Sequence, residues 1–353
     1  MGFSSTNLLQ LILLFITLSC PSNFCPAQAQ PFPCRPAGAT CHALIDYVSP
    51  NATTLSAVAA LFSAPDHRPL LGPNNLPPTT PPNFPVAARH PITIPFPCSC
   101  TANGTGTSAG RPVYTVVPGD GLYHIAAEVF AGLVTFRQIA AANNISDPDR
   151  ILVGQDLVIP LPCGCDDVEG RRVVHYGHVA AQGSTVQEIA ARYNSSADTL
   201  LRLNALNSSR DLVAGTVLDV PLTPCSSVVN NSSPDYPLLV PNGTYQLTAN
   251  NCILCRCNAA LSSMLQCEPS QTNSTCTAPI RCEGSGDLFL GNTTTSGCNR
   301  TMCTYAGYNN RTIFTRLASE STCPASPGMS LQGWRWTELL VGVQIIVFCL
   351  LFL

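Results

Sequence analysis

The segment YTVVPGDGLYHIAAEV, residues 114–129, combines three features that decide the fold of this chain. Its first residues are β-branched or aromatic, which favours a short strand. Pro118-Gly119-Asp120-Gly121 then predicts a turn. From Leu122 onward, apolar residues recur at i, i+3, i+4 and i+7, the spacing of one helix face. The segment therefore predicts a strand, a turn and an amphipathic helix.

The same pattern occurs three times in the first 225 residues. The apolar helix positions are Leu55/Val58/Ala59/Phe62, Leu122/Ile125/Ala126/Val129 and Val186/Ile189/Ala190/Tyr193. A second helical stretch, an asparagine-containing turn (Asn74, Asn143, Asn204) and a closing strand with proline follow each set. Thr54 lies near the first helix start, and Ser184 with Gln187 predicts a capping box. We expect an α+β protein built from three βααβ units.

These residues resemble the lysin motif (LysM). The resemblance is carried by Tyr114 to Gly121, Asn143-Asn144-Ile145, Val153-Gly154-Gln155 and Ile159-Pro160. The third copy is looser, and the first is the most divergent because a proline-rich insertion precedes its last strand. Three copies separated by Cys-x-Cys pairs are similar to plant LysM-domain GPI-anchored proteins, the kin of the chitin elicitor-binding protein.

The expected organisation has six parts. They are a signal peptide (1–29), a divergent first module (30–100), a second module (113–160), a third module (174–221), a Cys-rich region (225–328) and a GPI propeptide (329–353).

Nineteen cysteines indicate an oxidising compartment. Cys20, Cys25 and Cys349 lie in the terminal segments, which leaves an even number for disulfides. Two cysteines one residue apart cannot easily bridge each other. The resemblance implies the pairs Cys34–Cys100, Cys41–Cys165 and Cys98–Cys163; the pairing from Cys225 onward stays open. Zinc binding is the competing interpretation of the closely spaced cysteines.

Both termini carry targeting patterns. An apolar run from Leu8 to Leu18 precedes Ala27-Gln28-Ala29, which predicts a cleaved secretory signal. Near the other end, small residues, a polar spacer and the apolar run from Leu339 predict GPI attachment at Gly328, with Ser326 or Ser330 as alternatives. The competing hypothesis is a single membrane span. We expect the protein on the extracellular face of the plasma membrane.

N-glycosylation sequons agree with secretion. They begin at Asn51, Asn103, Asn144, Asn194, Asn207, Asn230, Asn231, Asn242, Asn273, Asn292, Asn299 and Asn310.

Composition argues against several function classes. All 17 basic residues are arginine, so no lysine exists for a Schiff base, a P-loop or a kinase phosphate site. A net charge of −3 without a basic block disfavours nucleic acid. Residues 106–110 match G-x-S-x-G, but we assign them to a flexible linker, where the match is accidental.

Two further groups of ionisable residues have structural or surface interpretations. Glu283 and Asp287 lie in a loop rich in small residues and are expected to be solvated. His175 and His178 have no nucleophilic partner and are expected to be structural or exposed. We predict no catalytic residues, no metal and no cofactor.

The resemblance implies a glycan-binding groove between two loops of the second module. These are Asp120, Gly121, Leu122, Tyr123, His124, Ile125 and Ala126, and Pro148, Asp149, Arg150, Ile151, Leu152, Val153 and Gly154. Leu122 and Ile151 are expected to receive acetamide methyl groups. Ile125 and Ala126 also lie on the predicted core face of the helix.

The resemblance implies a pattern-recognition receptor for chitin and peptidoglycan oligosaccharides that acts with a transmembrane LysM receptor kinase in innate immunity. Homo- or hetero-oligomers with related receptors remain open. Two alternatives are a wall-tethering or scaffold protein without signalling and a LysM-targeted hydrolase.

Overall fold

A computed structural model describes residues 31–270, 276, 279–309 and 311–321, and its elements are those of an α+β protein. The strands are β1 Phe32–Pro33, β2 Thr40–Val48, β3 Thr53–Thr54, β4 Pro85–Val86, β5 Pro91–Cys100, β6 Thr105–Ser108, β7 Val113–Thr115, β8 Asp156–Val158, β9 Val174–Val179, β10 Val217–Leu222, β11 Pro224–Ser226, β12 Leu239–Pro241, β13 Tyr245–Thr248, β14 Ile253–Arg256, β15 Gln266–Pro269, β16 Thr293–Ser296, β17 Asn299–Tyr308 and β18 Ile313–Ser321. The helices are α1 Leu55–Leu61, α2 Arg68–Leu71, α3 Leu122–His124, α4 Phe136–Ala142, α5 Val186–Arg192 and α6 Ala197–Leu203. A π-helical turn, Ile125–Val129, continues α3, and Ser209–Asp211 forms a 3₁₀ turn.

Each of the three copies folds as strand, helix, helix, strand, as the sequence predicts. The first module consists of β2, α1, α2 and β5, the second of β7, α3, α4 and β8, and the third of β9, α5, α6 and β10. In each copy the closing strand pairs antiparallel with the opening strand. The first three residues of every predicted apolar helix set are buried, so the helix faces pack on the strands as expected.

One asparagine plays the same structural role in all three modules. The Asn143 side chain donates to the carbonyls of Ile139 and Val158, both at 2.8 Å, and accepts from the Val158 N–H at 2.8 Å. Asn74 makes the same three bonds in the first module and Asn204 in the third. The asparagine therefore joins the end of the second helix to the closing strand.

The first and third modules share one sheet. Its strand order is β1-β6-β5-β2-β9-β10, with β2 and β9 parallel through Leu44↔Tyr176 and Ile45↔Gly177. Gly177 allows this approach, because a Cβ there would lie 3.0 Å from the Ile45 side chain. The second module keeps its own two-stranded sheet, β7-β8.

Buried polar residues cross the junction between these two modules. The Asp46 carboxylate on β2 accepts from the Tyr176 hydroxyl at 2.6 Å and lies 2.9 Å from Nδ1 of His178, both on β9. His175 lies 2.9 Å from Asp219, and its Nε2 lies 2.8 Å from the Asp166 carbonyl oxygen. Both histidines are buried, so of the two interpretations given from sequence the structural one applies.

Three disulfides involve the Cys-x-Cys pairs. They are Cys34–Cys100, Cys41–Cys165 and Cys98–Cys163, the same pairs that the resemblance implies. The cysteine groups close enough to hold a metal among the described residues consist of these same disulfide-bonded residues. Cystine sulfurs carry no thiolate, so they offer no ordinary zinc site.

Two local sequence predictions were wrong. The helix cap of the third module is Thr185 with Glu188, one residue after the predicted Ser184 and Gln187. Threonine at that position adopts the extended backbone of an N-cap and accepts from the Glu188 N–H. The G-x-S-x-G segment is not a flexible linker, since it includes most of β6. There the Ser108 side chain is buried and donates to the Ile159 carbonyl at 2.8 Å.

The Cys-rich region has a core of its own and also docks on the first module. Its described disulfides are Cys225–Cys257, Cys252–Cys276, Cys255–Cys267 and Cys282–Cys303, and Cys298 is disulfide-bonded as well. The Tyr245 hydroxyl donates to the Leu76 carbonyl, and Gly72 lies against the Tyr245 backbone with no room for a Cβ. This contact holds the region against α2.

Candidate functional site

The two loops predicted to bind glycan are joined by backbone hydrogen bonds. The Gly154 N–H donates to the Val116 carbonyl at 2.8 Å, and the Val116 N–H donates to the Gln155 carbonyl at 2.9 Å. The Gln155 side chain accepts from the Leu152 N–H at 3.0 Å. Gln155 was not among the predicted site residues, although the Val-Gly-Gln motif signals its position. These bonds fix the loop after β7 beside the loop before β8.

The Asp120 carboxylate makes hydrogen bonds within its own loop. Its side chain is only 3% exposed. Its carboxylate accepts from the Tyr114 hydroxyl at 2.8 Å and from the Val117 N–H at 2.9 Å. Burial, together with the hydrogen bond and charge of Asp120, raises the pKa of Tyr114 to about 12. Tyr114 therefore remains a neutral donor, and the Asp120 carboxylate is committed to the loop.

Three predicted contact residues belong to the core. Leu122, Ile125 and Ala126 are 2%, 0% and 3% exposed and pack in the main hydrophobic cluster. Leu122 begins the helix on the same face as Ile125 and Ala126, because positions i, i+3 and i+4 of a helix share a face. All three side chains therefore face the core, and contact of these residues with a sugar stays a prediction.

Other residues of the two loops form an exposed apolar surface. Tyr123, Leu152 and Val153 are 69%, 72% and 65% exposed. Val117, which the sequence analysis did not select, is 49% exposed on the same loop as Asp120. Ile151 is only partly accessible because it packs against the core. Large exposed apolar side chains on two adjoining loops are typical of a binding surface.

The remaining predicted residues form the polar rim and the turns. Asp149 and Arg150 are exposed, and Arg150 pairs with Asp147 at 3.1 Å. Nε2 of His124 lies 3.6 Å from the Asp120 carboxylate, and Nδ1 of His124 lies 3.4 Å from the Glu128 carboxylate. Pro148 is half-buried. Gly121 and Gly154 have open space where a side chain would lie. The backbone at position 154 has a φ of 84°, a left-handed conformation that favours glycine.

The third module repeats the loop pair with fewer large side chains. The Gly215 N–H donates to the Ala180 carbonyl at 2.8 Å, and the Ala180 N–H donates to the Thr216 carbonyl at 2.9 Å. Val213 occupies the position of Leu152 and is 54% exposed. Ala214 stands where the second module has Val153. The second module therefore offers the larger apolar surface.

Glu283 and Asp287 are both exposed, as the sequence analysis expected. The Glu283 backbone N–H donates to the Thr315 hydroxyl at 2.8 Å.

Comparison with known proteins places this architecture in a family. The LysM domain model matches residues 114–160 and 178–221, the second and third modules. The chitin elicitor-binding protein of Oryza sativa subsp. japonica is 40% identical over 337 residues, covering 92% of this chain and 93% of that protein. The chain belongs to the family of plant LysM domain-containing GPI-anchored proteins.

A second relative matches over almost the full length of both proteins. LysM domain-containing GPI-anchored protein 2 of Arabidopsis thaliana is 38% identical over 99% of this chain and 98% of its own. Among solved structures, the ectodomain of a receptor like kinase has a TM-score of 0.43 and 19% identity over 56% of this chain and 94% of its own. The LysM family assignment therefore rests on the sequence relatives.

Several predictions fall outside the described residues. These are the signal peptide (1–29), the attachment residue Gly328, the propeptide (329–353) and the sequons at Asn273 and Asn310. Every other predicted acceptor asparagine is exposed. Within the described part of the chain, no helix has the length and apolar character needed to cross a bilayer.

Proposed function

We propose that this LysM protein is a cell-surface receptor for glycans that contain N-acetylglucosamine, with chitin and peptidoglycan fragments as its ligands. Membership of the family supports this proposal, because its relatives are named for chitin elicitor binding and GPI anchorage. A GPI anchor would hold the protein on the extracellular face of the plasma membrane.

The observation that carries the proposal is the joined loop pair of the second module. Exposed Tyr123, Leu152 and Val153 offer apolar area to sugar rings and acetamide methyl groups. Backbone groups of the same loops supply donors and acceptors for an uncharged polymer. Gly154 leaves space for a chain of rings to approach the backbone.

Signalling requires a second protein. A lipid-anchored chain has no cytoplasmic segment, so the signal must pass to a transmembrane partner, for which we propose a LysM receptor kinase. Another relative of this chain, from Physcomitrium patens, is named chitin elicitor receptor kinase 1 and is 25% identical over 43% of this chain. A wall-tethering protein would bind the same glycans without recruiting such a kinase when ligand is added.

The binding site is tested by paired substitutions in the second and third modules. Leu152→Asp places a carboxylate where a sugar must exclude water, and we expect binding to chitin oligomers to weaken about tenfold or more. Val213→Asp is the matched control, since it puts the same charge at the equivalent position of the third module. Isothermal titration of the full-length protein gives both affinities. A stronger effect of Val213→Asp would move the site to the third module.

Ligand range is tested with insoluble polymers. Chitin and peptidoglycan both contain β-1,4-linked N-acetylglucosamine, whereas cellulose has no acetamide. We expect retention on the first two polymers, competition between them and little retention on cellulose. Failure of chitin oligomers to displace peptidoglycan would overturn a shared site.

A further inference from the structure

A cavity of about 350 Å³ lies where the first module, the third module and the Cys-rich region meet. Its walls include Leu44 from the first module, Tyr176, Tyr193 and Leu222 from the third, and Pro241 from the Cys-rich region. Tyr176 and Tyr193 pack edge to face with ring centroids 5.3 Å apart. The volume is within the range of small-ligand sites, about 300–1,000 Å³. It lies apart from the loop pair of the second module.

Two N-glycosylation acceptors line this one cavity. Asn194 follows α5 directly after Tyr193, and Asn242 lies across the cavity in the Cys-rich region. The side chains of the two asparagines differ in their hydrogen bonding. The Asn242 side chain accepts from the Ala259 N–H at 2.9 Å, whereas no described residue exchanges a hydrogen bond with the Asn194 side chain. Asn194 is exposed and therefore open to modification.

The lining has the chemistry of a sugar site. An aromatic ring receives the apolar face of a pyranose, and amide and hydroxyl groups bond its hydroxyl and acetamide groups. Tyr193 supplies the ring, Asn75, Thr223 and Thr244 supply polar groups, and Arg192 is the single charged residue of the lining. An N-linked glycan begins with an uncharged N-acetylglucosamine bonded to the asparagine amide, so that ring must lie within one sugar length of its acceptor.

We propose that the first N-acetylglucosamine of a glycan on Asn194 lies in this cavity, against Tyr193, and ties the third module to the first module and to the Cys-rich region. The sugar fills space that the side chains of three parts of the chain leave open. The glycan thereby stabilises the arrangement of the modules, in addition to covering their surface.

The first experiment uses full-length protein from plant cells grown with a mannosidase inhibitor, so that endoglycosidase H trims each glycan to one N-acetylglucosamine. Asn194→Gly removes the acceptor and keeps its left-handed backbone, φ 53°. Asn144→Gly is the matched control, because Asn144 is an exposed acceptor with φ 54° that lies outside the cavity lining.

We expect trimming to leave the thermal unfolding midpoint of the wild type unchanged, because the first sugar remains. Asn194→Gly should lower the midpoint by about 3 °C relative to Asn144→Gly, the scale of one modest contact in a protein of this size. Equal midpoints for the two variants, or an unmodified Asn194 in the wild-type glycopeptide map, would overturn the proposal.

A second measurement detects the contact directly. In trimmed protein with ¹³C-labelled acetyl groups, the methyl signal that disappears in Asn194→Gly should be shifted upfield by the Tyr193 ring. Tyr193→Leu keeps an apolar side chain and should return this signal to the position of the other acetyl groups. A signal at the ordinary position in the wild type would place the sugar in solvent and refute the proposal.

Discussion

At the scale of single residues, the same asparagine connects two elements in each module. Its amide satisfies two carbonyls and one N–H that belong to different elements, and its geometry is the same at Asn74, Asn143 and Asn204. The asparagine-containing turns are visible in the sequence. The bond to the closing strand is not, because it depends on a residue 15 positions later in the second and third modules.

Asn143→Ala should destabilise the protein by about 2 kcal/mol, since it leaves the Val158 N–H without its partner and removes the side-chain bonds to the carbonyls of Ile139 and Val158. Denaturant unfolding of the full-length protein measures the loss. Asp149→Ala, an exposed change in the loop that follows, is the control and should cost little. A loss of stability in Asn143→Ala as small as that in Asp149→Ala would show that the asparagine is dispensable.

His175 should make stability depend on pH. Burial disfavours its charged form, but the Asp219 carboxylate and the Asp166 carbonyl outweigh burial, so the pKa of His175 is raised above 6.5. The folded state then holds a proton that the unfolded state releases. This contribution is complete below about pH 6.5 and is lost as the pH rises through the folded pKa.

The free energy of unfolding should therefore fall as the pH rises above 6.5, with a maximum slope of about 1.4 kcal/mol per pH unit from this group. Denaturant unfolding at a series of pH values gives the slope. In His175→Gln this part of the slope should vanish. A wild-type histidine that titrates below 6.5 by NMR would contradict the prediction.

The predicted site shows where residue-level reasoning succeeds and fails. Loop residues were identified from a motif, and several of them are exposed as a binding surface requires. Leu122 faces the core because it begins a helix as well as ending a loop, and helix periodicity decides the direction of its side chain. Asp120 looked like a ligand-facing polar residue, but its side chain is only 3% exposed and its Oδ2 accepts two hydrogen bonds from Tyr114 and Val117.

At the scale of elements, the three disulfides that involve the Cys-x-Cys pairs form a single circuit. They link the segments 34–41, 98–100 and 163–165 end to end. When any one is removed, the other two still join its cysteines through about a dozen residues, which corresponds to about 3 kcal/mol in the loop-entropy model. The sequence separations of 66, 124 and 65 residues therefore overstate how much the three disulfides differ in their contribution to stability.

Each double Cys→Ser variant of this circuit should lose nearly the same stability, within about 1 kcal/mol of the others. The variants are Cys34/Cys100, Cys41/Cys165 and Cys98/Cys163, and denaturant unfolding compares them. A clearly larger loss for Cys41/Cys165 would mean that its long separation, and not the circuit, sets the cost.

Helices and closing strands were predictable because their apolar spacing is local. Cap positions were less so, since Ser184 and Thr185 are adjacent and both are good caps. Strand β6 was missed because its residues, Thr105–Ser108, are small and polar and give no alternating pattern. Its pairing with β5 and β1 orders it.

At the scale of the whole molecule, the shared sheet was beyond sequence reasoning. Each module has its own apolar pattern, and nothing local indicates that β2 and β9 pair. The pairing depends on a glycine at position 177 and on a polar network whose members are 130 and 132 residues apart.

GPI attachment, a prediction from the tail sequence, is tested on intact cells. Phosphatidylinositol-specific phospholipase C should release the protein into the medium, because it cleaves the lipid from the anchor. Loss of surface signal together with a soluble product lacking residues 329–353 is the expected result. Retention on the membrane with Leu353 still present would favour the single-span alternative.

The parallel pairing of β2 with β9 also limits the order in which the chain can fold while it is being synthesised. A ribosome that has delivered the first module into the secretory pathway has not yet made Tyr176 and Gly177, the partners of Leu44 and Ile45. Cys41 must likewise wait for Cys165 while Cys98 and Cys100 emerge earlier and compete for it. The nascent chain therefore holds an open strand edge and an uncommitted thiol until Cys165, Tyr176 and Gly177 have been delivered. Thiol-disulfide isomerases, and lectin chaperones if the predicted acceptor Asn51 carries a glycan, would protect both until the third module arrives.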